Sequence, residues 1–191
     1  MTGLNDDRNV SLSGRAGLFA VCALFLLGCD SKPRAPALMD DPVYQNDREG
    51  FRFLVPDGWK QHARADVPPG KTEKERILVQ YRRPAEGGEA TLEATLADLP
   101  ATTDLAAFVA GPAFGVEKWR RTSPIETLDV KGTSAVRVTL SGRPGNAEML
   151  KEVVAFRRGE RVYFFTGIFN AKDGTSREQV RKAVDSIIWK D

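Results

Sequence analysis

Thiols, imidazoles and paired carboxylates carry most nucleophilic, acid–base and metal chemistry, and this chain is sparing with them. Its 191 residues hold two cysteines, Cys22 and Cys29, and a single histidine, His62. One imidazole removes His-rich metal sites and makes any serine triad depend on that residue alone. His62 sits in Trp59-Lys60-Gln61-His62-Ala63-Arg64, among basic and polar neighbours, the setting of a solvent-facing strand residue. The sequence has no Gly-x-Ser-x-Gly elbow and no phosphate loop. Gly111-Pro112-Ala113-Phe114-Gly115 is rich in glycine but lacks the lysine of such a loop and reads as a helix stop. Glu73 and Glu75 fall in the charged run 71–76, which a solvated loop explains, whereas glycoside hydrolysis needs two carboxylates held at a set separation. The expectation is a non-enzymatic protein with no catalytic residues, no metal and no cofactor.

Cys29 is the strongest chemical signal. It closes the tetrapeptide Leu26-Leu27-Gly28-Cys29, at the end of an apolar run over residues 16–27 that follows Arg8 and Arg15. A basic start, a short apolar core and a small residue before the cut are the parts of an export signal. The run has roughly twelve residues, too few to span a bilayer, which takes about 20. The tetrapeptide resembles the processing site of bacterial lipoproteins, with Leu26, Gly28 and Cys29 matching well and Leu27 bulkier than the residue usual at its position. The resemblance implies a signal peptide over residues 1–28, cleavage before Cys29, and acylation of that cysteine with palmitate-type chains. Two or three such chains hold a protein durably on a membrane where one is marginal. Cys22 leaves with the signal, so the mature chain cannot form an internal disulfide. Asp30 behind the cysteine matches the pattern that retains lipoproteins of enteric bacteria in the inner membrane. The implied location is the bacterial cell envelope, lipid-anchored and facing the periplasm or the outside.

Beyond Cys29 the residues are enough for one domain of common size. The chain has 28 basic and 26 acidic residues; the signal carries Arg8, Arg15, Asp6 and Asp7, so its removal leaves the net charge at +2. That balance argues against nucleic acid as a partner. The doublets Arg82-Arg83, Arg120-Arg121 and Arg157-Arg158 suit strand ends and turns. Residues 29–46 read as the lipidated cysteine and a flexible tether, because Pro33, Pro36 and Pro42 stop any helix from propagating. The folded domain is placed at residues 47–191.

Within that domain the dominant period is two. Phe51, Phe53 and Val55 alternate with Arg52 and Leu54 and run into the turn Pro56-Asp57-Gly58, after which Trp59 begins a return strand over the two Phe rings. Further strands are predicted over 77–81 and 90–99. A hairpin follows through Lys131-Gly132, and a second joins 149–156 to 162–169 across Arg158-Gly159-Glu160. Two segments have helical spacing. Residues 103–110 present Leu105, Phe108 and Val109 on one face, with Thr102 or Thr103 as cap. Residues 176–188 carry Val180, Ala183, Val184, Ile187 and Ile188 behind Ser176 as cap. Seven or eight mostly antiparallel strands under such helices give an α+β layer fold. The aromatic groups are read as core rather than as a ligand cage, since each buries roughly 150–250 Å².

Taken together, Phe51-x-Phe53-x-x-Pro56-x-Gly58-Trp59, Val130-x-Gly132-x-x-Ala135, Thr166-Gly167 closing an aromatic strand, and a last helix ending at Ser186-Ile187-Ile188-Trp189 resemble the PsbP-like superfamily. That superfamily includes the extrinsic PsbP subunit of photosystem II, a Ran-binding nuclear import factor and several bacterial lipoproteins. The resemblance implies a curved antiparallel sheet of about six to eight strands flanked by helices, an α/β/α sandwich. It also implies use as a binding or assembly module. The expected partners are the membrane, through Cys29, and an envelope protein or complex. A small apolar ligand or lipid, held between the sheet and the helix from Thr103, is the alternative, and hydrolysis of envelope polymers comes last.

Overall fold

Strands of two to eleven residues and two helices follow one another through the computed structural model, which describes residues 42–62, 75–85, 87–110, 119–143 and 146–190. These fall in one compact unit, Asp40–Asp191. The order is β1 (Val43–Asn46), β2 (Phe51–Leu54), β3 (Lys60–Gln61), β4 (Glu75–Ala85), β5 (Gly88–Asp98) and α1 (Leu105–Ala110), then β6 (Trp119–Arg121), β7 (Glu126–Val130), β8 (Thr133–Gly142), β9 (Met149–Arg158) and β10 (Arg161–Asn170), and finally α2 (Gly174–Asp185) and β11 (Ile188–Trp189). The large sheet runs β3-β4-β5-β10-β9-β8-β6, with β7 also paired to β8. A small sheet runs β1-β2-β11, and every strand pairing in both sheets is antiparallel. The predicted class therefore stands, as a mostly antiparallel α+β fold.

The hairpins lie where alternation places them. β7 turns into β8 at Lys131-Gly132, where both residues have positive φ, 51° and 83°, as a two-residue turn of this hand requires. Asp129 helps by accepting the Gly132 N–H at 2.9 Å. β9 and β10 pair from Arg158–Arg161 to Met149–Asn170 around Gly159 at φ 64°. The predicted strand over 77–81 extends to eleven residues with a register shift between Ile77 and Val79.

Four sequence expectations change. Val43–Asn46, assigned to the tether, is a strand paired with β2 through Val43–Leu54 to Asn46–Phe51, so the folded part reaches past residue 47. The strand after Trp59 does not return along β2; it pairs with β4 and belongs to the large sheet. The last helix stops at Asp185 and Ile188-Trp189 crosses to β2, because Ser186 turns the chain by donating to the Ala183 carbonyl at 2.6 Å. The caps also differ. Asp104 accepts the Ala106 and Ala107 N–H groups at the start of α1, and Asp173 accepts Ser176 N–H at 2.9 Å at the start of α2, satisfying amides that a helix leaves unpaired.

Alternation along the strands gives the large sheet two unlike faces. On the first, Leu92, Ala94, Leu96, Val154, Phe156, Tyr163, Phe165 and Phe169 meet Phe51 and Phe53 of the small sheet and Val180, Ala183 and Val184 of α2 in one buried cluster. On the second, Ala97, Val138, Leu140, Val153, Ala155, Val162 and Phe164 form a smaller cluster with Val109 of α1. No helix among the described residues is long and apolar enough to cross a membrane.

Candidate functional site

The motif residues assemble into core. Phe51 and Phe53 are 1% and 2% exposed and stack at 6.4 Å between centroids, with Tyr44, Tyr81, Tyr163, Phe165 and Trp189 ringed around them. Those rings fill the space that a ligand cage would leave. Burial pushes the Tyr81 phenol up to about 12, as expected of a neutral core group. Pro56 is half-buried, and Gly58 takes φ 77° in the turn. Trp59 is buried and donates its indole N–H to Gln179 of α2 at 2.9 Å, so it ties the turn to the helix. Arg83 of β4 donates to the same Gln179 oxygen at 2.6 Å. Gly132 is the hairpin turn described above. His62 is half-buried and its backbone N–H joins the Gln80 carbonyl. Leu26, Leu27, Gly28, Cys29, Glu73 and Gly111 to Gly115 lie outside the described residues.

Two charged clusters escaped the sequence reading. Glu152 of β9 is 2% exposed at its side chain and faces α2. Its carboxylate takes the Arg181 Nε at 2.6 Å and the Arg177 Nε at 3.1 Å, and the Arg137 Nε of β8 lies 3.6 Å away. The hydrogen bond from Arg181 to Glu152 raises that guanidinium further above its ordinary value. The second carboxylate, Glu49, is equally buried and takes the Tyr163 hydroxyl at 3.1 Å and Arg161 at 3.0 Å. Arg158 donates twice to the Lys190 carbonyl at 3.1 Å and lies 5.1 Å over the Trp189 ring. These contacts clamp α2 and the small sheet to the first face. A buried carboxylate is tolerable only with such pairing. No sequence signal announces them, because the partners come from separate elements.

The second face carries the surface features. Arg157 pins the approach to α1 by donating to the Leu99, Pro100 and Thr103 carbonyls at 2.8 to 3.3 Å. That places Phe108 in a stack on Phe164, 5.8 Å between centroids and 28° apart. Leu99, Leu105, Phe108, Trp119 and Val136 are only half-buried around the cluster. At the β6–β8 edge, Arg120, Ser141, Gly142, Arg143 and Glu148 line a cleft of about 450 Å³, with Arg120 and its partner Ser141 on the side opposite Leu140 and Trp119. A second cleft, of about 430 Å³, lies at the start of α2 between Gly87, Asn170, Lys172, Asp173, Gly174 and Thr175. The first is lined mainly by polar groups, the second by polar and apolar surface in similar measure. Among the described residues no three His, Cys, Asp or Glu side chains converge to hold a metal.

The architecture matches solved structures over most of its length. Cyanobacterial PsbP (CyanoP) from Synechocystis sp. PCC 6803 superposes with a TM-score of 0.55 at 13% identity, covering 78% of this chain and 92% of that one. The fold is PsbP-like. LpqN of Mycobacterium tuberculosis, described as involved in cell envelope biogenesis, superposes at 0.54 and 14% identity, covering 78% of this chain and 90% of LpqN. PA94 of Pseudomonas aeruginosa, a protein of unknown function, gives 0.51 at 14% identity, with 70% of this chain and 98% of PA94 covered. No family model and no curated protein matches the sequence. At these identities the likeness is one of PsbP-like architecture.

Proposed function

We propose that this is a lipid-anchored protein of the bacterial envelope that works as a non-enzymatic accessory module, docking a protein partner on the α1 side of its PsbP-like domain. The observation that carries the docking surface is the half-buried apolar group Leu105, Phe108, Leu99 and Trp119, packed on the cluster of the second face. Clustered aromatic side chains around a desolvated centre are typical of protein interfaces. Leu26-Leu27-Gly28-Cys29 supports the anchor and the envelope address. The role of LpqN in envelope biogenesis supports the same setting. The mainly polar lining of the Arg120 cleft does not favour an apolar ligand there.

Crosslinked, detergent-solubilised host membranes provide the test, comparing the native chain, Cys29→Ser and Phe108→Asp. One envelope complex should be recovered with the native chain, lost with Cys29→Ser and weakened at least tenfold with Phe108→Asp while the domain stays folded. Equal recovery with all three, or none with any, overturns the proposal.

A further inference from the structure

The exposed large apolar side chains of the described residues are Val43 at 53%, Leu54 at 43% and Ile188 at 39%, and they come from three different strands. Register puts them together. Val43 lies opposite Leu54 and Gln45 opposite Arg52 across β1 and β2, while Ile188 of β11 lies opposite Arg52 from the other side. Opposed residues of an antiparallel pair share a face, so Val43, Gln45, Arg52, Leu54 and Ile188 form one outward surface. Tyr44, Phe51, Phe53 and Trp189 occupy the inward one.

The surface is also cationic. Arg52 stands exposed between Leu54 and Ile188 and has no acidic partner among the described residues. Lys131 adjoins it by donating to the Ser186 carbonyl at 3.2 Å, and the Ser186 hydroxyl accepts the Leu54 N–H. Lys190 continues β11 and is matched by Asp47, whose carboxyl it holds below the usual aspartate range.

Chain geometry then selects the occupant. Val43 is the first residue of β1, and residues 30–41 join that strand to Cys29 through Pro42. A chain of that length spans about 40 Å at most. A tether of this span gives an effective concentration in the millimolar range. Three apolar side chains and two cations bind lipid only weakly from solution, and attachment through the chain raises the occupancy of so weak a contact. We infer that the outer face of the β1-β2-β11 sheet rests on the membrane, with Val43, Leu54 and Ile188 at the headgroup boundary and Arg52 and Lys131 on anionic lipid. Amphipathic surfaces with this pairing of apolar and basic groups seat at such interfaces. The inference rests on the lipid anchor proposed above and adds an orientation to it.

The test uses the mature chain purified from membranes and reconstituted into mixed phosphatidylcholine–phosphatidylglycerol vesicles. Single Leu54→Cys, Ile188→Cys and Lys172→Cys variants are labelled with bimane, and a nitroxide is carried near the headgroup end of the lipid chains. Lys172 is a control one length of α2 away, roughly 18 Å. Quenching several-fold stronger at 54 and 188 than at 172, reduced in pure phosphatidylcholine and by salt, is the expected result. Equal quenching at all three positions overturns the inference. So does shielding of position 54 from aqueous iodide without nitroxide quenching, which would indicate a protein or a second copy on this face. Failure of the anchor reads out separately, as bimane taken up by the unsubstituted chain at Cys29 or as its recovery in the soluble fraction. In that event the Cys29→Ser background titrated with the same vesicles decides the face by the same comparison of positions.

Discussion

Along β10, Tyr163, Phe165 and Phe169 point to one side of the large sheet and Val162 and Phe164 to the other, and the two sides have different company. The first side is closed by α2 and by the small sheet, locked at its margins by Glu152 and Glu49. The second side meets the six residues of α1, whose apolar neighbours remain half-buried. Aromatic mass and buried ion pairs close the first face, whereas the short helix α1, seated by Val109, the Phe108 stack and Arg157, leaves part of the second half-exposed. The first face is thus closed within the domain, and the docking site proposed above falls on the second, less covered one.

Substitutions that separate the faces test this division. Phe165→Ala, on the first face, should cost about 4 kcal/mol in denaturant unfolding, and Phe108→Ala, on the second, about 1, since a fully buried aromatic leaves a cavity and a half-exposed one does not. Similar costs for the two would remove the contrast. Glu152→Ala comes next, at about 3 kcal/mol, because mostly buried Arg137 loses its buried carboxylate partner and keeps only the more exposed Glu126 and Asp185 at 3.6 and 3.9 Å. Arg177→Ala should change stability by less than about 1, its side chain being 38% exposed. Gly167→Ala should cost about 2 kcal/mol and loosen α2 specifically, since a Cβ there would meet Val180 Cγ1 at 2.7 Å and Phe169 at 3.1 Å. Hydrogen exchange would show opening in α2 but not in α1.

The smallest effect depends on pH. Burial alone would raise the Asp173 carboxyl, but the hydrogen bonds from Ser176 and the charge of Arg83 outweigh it and hold it below the usual aspartate value. A carboxyl lowered on folding stabilises the fold above its unfolded value, about 3.9, and that contribution disappears as the pH falls through the lowered one. Asp173→Asn, which keeps a capping oxygen but removes the charge, should flatten this part of the acid-unfolding curve. An unchanged curve would show that the cap charge contributes nothing.

Much of the fold is legible because it rests on local patterns. Lys131-Gly132 and Gly159 sit between alternating runs, so both hairpins follow from turn chemistry and period. The short strands β1, β6 and β11 lack that advantage: two to four residues carry no period, and their conformation comes from β2 and β8 alongside. Ile188 fitted a helical spacing with Val184, yet Ser186 ends the helix and sends it to β2. Ser176 was read as the cap because Ser caps helices, whereas Asp173 three residues earlier takes its amide. The candidate surfaces were less visible still. Phe108 was identified as one face of a helix, but its stack on Phe164 and the company of Trp119 depend on strands far along the chain. The apolar group Val43, Leu54 and Ile188 exists only through the register of three strands.

The small sheet has a bearing on synthesis. It joins the beginning of the domain to its end, as the hydrogen bond from Leu54 N–H to Ser186 Oγ, spanning 132 positions, makes plain. A chain threaded from its amino end has β1 and β2 in hand long before β11 arrives, so Phe51 and Phe53 must wait for Trp189 before their sheet is complete. Contacts of such separation make folding slow. The domain thus stays incomplete until nearly all of it has emerged, which is the state that a chain passing through a narrow channel has to keep.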